Sequence, residues 1–397
     1  MPTRDHSLLR VRALFCLLGF AESAFVPFLP LLLRDRGLDP QAIGAALALM
    51  AGVGFAAGPV WGYLADRAIG RERTLALCLT GTVAGALLVG FSHSAVALTL
   101  AGSFAWIFRA PGLPLADALA LDRLGAHRRD AYGTVRLWMS ATFAVGAIVW
   151  GVVIQSVGIG VMAFIYACLV AVNAALVALV FRGRWPRAPL RSNPNAARLG
   201  SLLRAPTVVL FLLALFLVFT PYTATYNFAA VQIAALGGGA AFVGLAGGLQ
   251  AAAEVPSMIA TSRFAHRLRP AQIFAAGTGF YLVVYAIWAV VDVPAVLAAS
   301  RAIAGLGFGL TTVGAVVIAD ELVPAHLRAT GQAASKAVSG GLAPVAGSLG
   351  GGLVFGYLGS VAMFVGAAIL TALSAVAAWA AELKAGDQPQ LEQVRRV

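Results

Sequence analysis

Residues 62–73 read GYLADRAIGRER, and five charges in those twelve positions (Asp66, Arg67, Arg71, Glu72 and Arg73) interrupt a stretch that is otherwise apolar from about residue 41 to residue 92. A helix needs about 20 apolar residues to cross a hydrocarbon core of about 30 Å. The runs on either side of the interruption, 41–63 and 74–92, have that length, so the charged segment reads as a loop joining two membrane-crossing helices. Working outward with the same ruler marks twelve spans. The first six are 8–33, 41–63, 74–92, 95–118, 134–156 and 160–181; the second six are 206–235, 241–262, 271–291, 295–319, 331–355 and 360–381. The expected fold is an all-α membrane protein with twelve transmembrane helices in two pseudo-symmetric six-helix bundles.

Composition agrees. Of the 397 residues 60% are hydrophobic and 11% charged, with a mean hydropathy of +0.88, whereas a soluble domain is about a quarter charged. Soluble enzymes and disordered chains are excluded. The formal net charge of +12 raises the question of a nucleic-acid partner, which the placement of the basic residues answers. If the N-terminus is cytoplasmic, the loops on that side hold the clusters Arg67 to Arg73, Arg123 to Arg129, Arg182 to Arg204 and Arg263 to Arg269, while the opposite loops hold Arg34 and Arg36. This positive-inside imbalance predicts a multi-pass protein of a cell inner (plasma) membrane with both termini cytoplasmic, and it accounts for the charge without nucleic acid.

The stretch from Arg182 to Arg204 carries six Arg, Pro186, Pro189 and Pro194 and no acid, the composition of an exposed linker. The expected organisation is a bundle over 1–181, a cytoplasmic linker over 182–205, a second bundle over 206–381 and a cytoplasmic tail over 382–397. The first apolar run is too long for a signal-peptide core and lacks a small-residue cleavage site after it, so it is expected to remain as a helix. Cys16, Cys78 and Cys168 lie inside apolar runs with neither metal-ligand spacing nor a disulfide framework. They read as packing residues, and no metal or other cofactor is expected.

Ionisable residues inside a membrane cost about 2.5–3.5 kcal/mol on insertion scales, which makes each a functional candidate. The candidates are Glu22, Arg109, Asp117, Arg136, Glu254, Arg301 and Lys336; spans three, six, nine and twelve carry no charge across their cores. That period of three predicts that two of every three consecutive helices line a polar cavity and the third faces lipid. Helical geometry sharpens the set. Gln250, Glu254, Ser257 and Thr261 fall on one stripe, Arg136, Ser140 and Phe143 share a face, and Tyr222 and Tyr226 share another with Asn227 beside them. Pro221 and Pro256 are placed to bend their helices nearby. Guanidinium, aromatic plates, phenolic hydroxyls and carboxylates together suit a polar organic molecule.

Blander structural roles compete at several of these positions. Arg136, Lys336 and Arg301 stand near span ends, from which long side chains snorkel to the interface. Asp117 and Arg136 would also serve as a packing bridge, and Trp106 and Trp138 as interfacial anchors. His93 reads as a solvated loop residue. Gly54, Gly58 and the stretch Gly347 to Gly352 lie within spans and read as close-packing surfaces rather than phosphate loops.

The sequence also repeats at about half its length. An offset of 200 sets Gly44 on Gly244 and Leu64-Ala65-Asp66-Arg67 on Phe264-Ala265-His266-Arg267, and a slightly different offset sets Ala116-Asp117 on Ala319-Asp320. A parallel repeat of this kind places a site at the interface of its halves. The loop at Gly62 to Arg73 resembles the Gly-x-Leu-x-Asp-Arg-x-Gly-Arg-Arg loop of the major facilitator superfamily, with a degenerate second copy at Arg263 to Arg269. The resemblance covers nearly the whole chain and implies the major facilitator fold, with spans three, six, nine and twelve peripheral. Asp66 at a helix end is suited to a latch closed by ion pairing; Asp66, Arg67, Arg71 and Asp320 are the expected gating residues. Topogenesis alone would be met by Arg71 and Arg73.

Two further segments narrow the likeness. PLADALAL at Pro114 to Leu121 and YGTVRLWMSATF at Tyr132 to Phe143 are similar to the lactose permease, nucleoside symporter and phenylpropionate permease group. That resemblance implies a solute site with an acidic residue late in the fourth helix, an Arg early in the fifth and an aromatic one face further on, positions held here by Asp117, Arg136 and Phe143. EVPSM at Glu254 to Met258 resembles the acidic-Pro segment of the eighth helix in the nucleoside and phenylpropionate relatives. The ninth span has no Arg, and the tenth carries Ala304 and Gly307 where the permease places its proton-site residues, so Glu254, Glu22 or Asp117 is expected to carry the proton instead.

No nucleotide-binding loop is present, which leaves an ion gradient or the solute's own gradient as the driving force. The chain is expected to be a secondary active transporter performing proton-coupled symport of a sugar, nucleoside or aryl acid by alternating access. Arg136, Asp117, Phe143, Arg109, Tyr222, Tyr226, Asn227 and Gln250 are the expected solute contacts. The alternative is a proton-coupled antiporter exporting drugs, sugars or amphiphilic compounds. An intramembrane enzyme would need a Ser–His pair, an Asp–Asp pair or HExxH on cavity helices, and none is found in the sequence. Its partners are expected to be a small solute, protons and the lipid bilayer, and its assembly a monomer.

Overall fold

The computed structural model describes residues 3–124, 131–180, 204–264, 267–323 and 327–386. The linker expected over 182–205, apart from its last two residues, lies outside these. So do residues 387–397 of the expected tail, most of the basic cluster at 123–129, and Ala265 and His266 of the second loop copy.

Among the described residues the elements are all helical. In chain order they are α1 (Thr3–Phe25), α2 (Leu29–Asp35), α3 (Pro40–Tyr63), α4 (Arg71–Phe91), α5 (Ala95–Arg109), α6 (Gly112–Leu124), α7 (Ala131–Val157), α8 (Met162–Val180), α9 (Pro206–Ala235), α10 (Ala240–Phe264), α11 (Pro270–Val290), α12 (Pro294–Leu322), α13 (Arg328–Ala337) and α14 (Ala343–Gly386). Among the described residues eleven helical stretches are long and apolar enough to cross a membrane, and the last of them, Thr330–Lys384, is 55 residues long. Gly359, at φ 85°, breaks that stretch in two, a conformation glycine reaches without steric cost. Twelve spans result, close to the limits expected.

Two spans are interrupted where proline forbids a regular ladder. Between α1 and α2 runs a 3₁₀ turn, Val26–Phe28, with Pro27 in its first turn. Between α5 and α6 lie Ala110 and Pro111, and Pro111 has no N–H to donate. By contrast, Pro221 and Pro256 lie inside the continuous helices α9 and α10.

Helix starts follow local chemistry. Asp39 accepts from the Ala42 amide at 2.7 Å, with Pro40 opening α3, and Ser94 caps α5 through Ala97. In the charged loop, a π-helical turn over Leu64–Ala68 ends α3, and Gly70 at φ 86° reverses the chain into α4, which is why that loop carries a glycine.

The chain divides into two compact units. The first comprises Met1–Leu190, Ala229–Ala252 and Val293–Ala299. In it α1 packs against α7 and α8, and α4 against α5 and α8, around buried Phe15, Phe25 and Phe28. The second comprises Arg191–Phe228, Ala253–Asp292 and Ser300–Val397, with α11 against α14 and Phe274, Tyr281, Tyr285 and Phe364 buried. Leu100, Val152 and Leu179 in the first unit, and Val361, Ile369 and Val376 in the second, are exposed, as suits helices whose outer solvent is lipid. Cys78 is buried, but Cys168 is exposed, so the packing role expected of all three cysteines does not hold for Cys168.

Candidate functional site

Glu22 on α1 and Arg109 at the last turn of α5 form an ion pair inside the first unit. Glu22 Oε2 accepts from Arg109 Nε at 2.9 Å and also from Nη2, while Oε1 accepts from the Tyr166 hydroxyl of α8 at 2.9 Å. The Arg109 guanidinium stands 4.5 Å from the Trp106 ring. Trp106 meets Phe25 at 6.1 Å, and Phe25 stacks on Tyr166 at 4.5 Å and 16°. Each charge is held by several partners, which is how an intramembrane charge offsets its desolvation. Arg109 also stands in the last turn of α5, where the helix dipole favours a cation. Trp106 is therefore part of a buried cluster rather than an interfacial anchor, whereas Trp138 is 47% exposed.

A second pair sits on α6 and α7. Arg136 Nε lies 3.7 Å from Asp117 Oδ1, and its guanidinium is 5.9 Å from the Phe15 ring. Tyr132 packs edge-on against Phe15 at 6.5 Å. Burial pushes the Tyr132 phenol above its ordinary range, and its hydrogen bond to the Asp117 carboxylate pushes the same way. Phe143 is half-buried on α7, and Gln250 is 3% exposed on α10.

In the second unit the aromatic content is denser. Tyr222 lies 5.2 Å from Phe308, 5.7 Å from Tyr281 and 6.1 Å from Tyr226, ring to ring, and Asn227 Nδ2 donates to Ser348 Oγ at 3.1 Å. Glu254 is half-buried. Further along the same stripe, Ser257 donates to the Leu306 carbonyl and Thr261 to the Ser257 carbonyl, each at 2.7 Å. Arg301 does not snorkel; it is 5% exposed. Its guanidinium lies 4.7 Å from the Tyr226 ring and 5.5 Å from the Trp288 ring. Lys336 is exposed in the last turn of α13, as a snorkelling lysine should be.

Of the expected gating residues, Asp66, Arg71 and Asp320 form ion pairs, each within its own unit. Arg71 donates to Asp66 at 3.0 Å and to Asp122 at 2.5 Å, and Arg67 stands 5.8 Å from the Tyr63 ring. Asp320 pairs with Arg328 at 3.1 Å. His93 does not stand alone in solvent, because Arg36 Nη1 lies 2.8 Å from its Nδ1.

Four participants escaped the sequence. Asp122 stands one residue short of a basic cluster and was hidden by it. Tyr166, Tyr281 and Trp288 lie on α8 and α11, spans six and nine, which carry no charge in their cores and were expected to face lipid. Those helices do present exposed faces, yet Tyr166 and Tyr281 are 1% and Trp288 2% exposed. The missed signal was the helical spacing of polar-tipped aromatics, Tyr281, Tyr285 and Trp288 at i, i+4 and i+7, which puts them on one inward face.

Among the described residues the architecture is all-helical and multi-pass, with guanidinium–carboxylate and guanidinium–aromatic clusters held within its spans, as suits a membrane transporter. Residues 10–366 match the model of the MFS_1 like family, and the chain belongs to it. It is 29% identical over 345 residues to the maltose permease of Geobacillus stearothermophilus, covering 83% of this chain and 82% of that one. To the uncharacterized transporter YwbF of Bacillus subtilis (strain 168) it is 22% identical over 365 residues, 91% of this chain and 90% of the relative. A crystal structure of the nucleoside transporter NupG superimposes with a TM-score of 0.83 at 16% identity, covering 95% of this chain and 99% of that one. The fold is that of major facilitator transporters.

Proposed function

We propose that the chain is a secondary active transporter of an inner membrane, moving a small polar or aromatic organic solute (a sugar, a nucleoside or an aryl acid) by alternating access with proton symport. The observation that carries the proposal is the Glu22–Arg109–Tyr166 cluster. A carboxylate tied to a guanidinium inside a bundle is a proton-responsive lock: when Glu22 takes a proton its charge is lost, and the Arg109 fork is released toward a solute. Asp117, paired with Arg136, and Glu254 are further proton carriers in this scheme. Arg136, Asp117, Phe143, Arg109, Tyr222, Tyr226, Asn227 and Gln250 are the solute contacts, and the Asp66–Arg71 and Asp320–Arg328 pairs, with Arg67, are gate elements. The bundles of the scheme are 1–181 and 206–381, joined by a cytoplasmic linker over 182–205, and the working unit is a monomer. The names of a maltose permease and a nucleoside transporter among the relatives favour a hydroxylated solute.

The test is uptake into proteoliposomes of radiolabelled maltose, uridine and benzoate, with and without an acid-outside pH gradient. At least one solute should accumulate above equilibrium only with the gradient, and Glu22→Gln should retain exchange but lose the gradient's effect. Accumulation that a protonophore leaves intact, with Glu22→Gln, Asp117→Asn and Glu254→Gln all unimpaired, would overturn proton coupling.

A further inference from the structure

Arg301 differs from the other arginines of the buried clusters. Arg109 has Glu22 and Arg136 has Asp117, but the contacts described for the Arg301 guanidinium are the faces of Tyr226 and Trp288. Its Nε is sealed from solvent without a hydrogen-bond partner, and Nη1 and Nη2 are not among the atoms sealed in this way. The forked end of the side chain is thus the end that keeps access. Two cation–π contacts offset only part of the cost of burying a charge that, among the described residues, no carboxylate pairs with. The surroundings are built rather than incidental. Trp288 Nε1 donates to Ser300 Oγ at 2.8 Å, which fixes the indole, and Tyr285 packs against the same ring at 6.1 Å.

We infer that Arg301 recognises a carboxylate of the transported solute through its terminal nitrogens, with Tyr226 and Trp288 as flanking walls, so that the solute is an organic acid. The inference rests on the transport reading and narrows it. A planar fork lying against two rings suits a planar oxyanion bound through two parallel hydrogen bonds. A neutral hydroxyl in the same place would leave the buried charge unbalanced. Sugar acids and aryl acids share the group, and the aromatic walls accept either a ring or the apolar face of a sugar.

The experiment uses the purified full chain and two matched probe pairs: benzoate with benzamide, and gluconate with glucitol. Thermal stabilisation is measured across a titration of each. At least one acid should bind ten-fold or more tightly than its neutral counterpart, with benzoate identifying an aryl acid and gluconate a sugar acid. Arg301→Gln should abolish the preference, and Arg301→Lys should keep a small part of it, because a point charge replaces the fork. Equal binding of acid and neutral probe, no response to either acid, or an unchanged preference in Arg301→Gln overturns the inference. If Arg301→Gln does not fold, the wild-type acid-to-neutral ratio and Arg301→Lys decide. Failure of transport itself reads out separately. Proteoliposomes that carry glucitol independently of Arg301 sink this inference and leave the transport reading standing, whereas acid binding without movement of any probe does the reverse.

Discussion

Arg109 and Glu22 are 87 residues apart in sequence and share one carboxylate oxygen, which accepts from two nitrogens of the same guanidinium. Their side chains are 22% and 16% exposed, and removing one partner of a pair so enclosed leaves the other charge uncompensated. Arg109→Gln should therefore lose about 3–5 kcal/mol of stability. The double variant Glu22→Gln/Arg109→Gln should recover most of that loss in denaturant unfolding of the purified protein. Strict additivity of the two single changes would show that the pair is uncoupled.

Tyr166→Phe removes only the hydroxyl that donates to Glu22 and keeps the ring stacked on Phe25. A hydrogen bond to a charged group contributes about 1.5–3 kcal/mol, and unfolding measurements should show a loss of that size. A loss below about 0.5 kcal/mol would mean that the hydroxyl does not hold the carboxylate.

The charged loop should respond unevenly. Arg71 bridges Asp66, whose side chain is 51% exposed, and Asp122, whose side chain is 25% exposed. Exposed pairs contribute about 0.2–1 kcal/mol, with screening reducing the most exposed. Asp122→Asn should thus destabilise more than Asp66→Asn, and raising the salt should widen the gap, because the more exposed Asp66 pair is screened more. The opposite order would place the stronger contact at Asp66.

Close backbone approach gives a steric prediction. A Cβ at Gly85 on α4 would lie 2.9 Å from the Ala105 backbone nitrogen on α5, whereas one at Gly58 on α3 meets nothing within 4 Å. Gly85→Leu should cost about 1–3 kcal/mol or more through overpacking. Gly58→Ala should be neutral or stabilising by up to about 1 kcal/mol, because alanine loses less entropy in a helix. Thermal unfolding of the two variants separates these outcomes.

The spans were legible because lipid imposes one rule, about 20 apolar residues per crossing, that needs no partner to be read. Gly70 in the charged loop carries a positive φ, which its place in a short reversal between two helices explains. Glu22 and Arg109 were visible as costly intramembrane charges, but nothing local announces that residues so distant in sequence meet. Tyr166 was invisible for a different reason: a phenol is apolar enough to pass as packing, and its helix bears no charge to draw notice. Arg301 was misjudged because distance from a helix end predicts where a long side chain can reach, not whether Tyr226 and Trp288 will hold it.

Each member of the Glu22–Arg109 pair stands beside a discontinuity in its own helix. Glu22 comes four residues before the 3₁₀ turn that begins at Val26, and Arg109 comes two residues before Pro111. At both places a proline, Pro27 or Pro111, removes one backbone donor, and a helix bends most readily at such a position. The tether is mounted on two joints. Whatever loosens it acts where both helices are already interrupted.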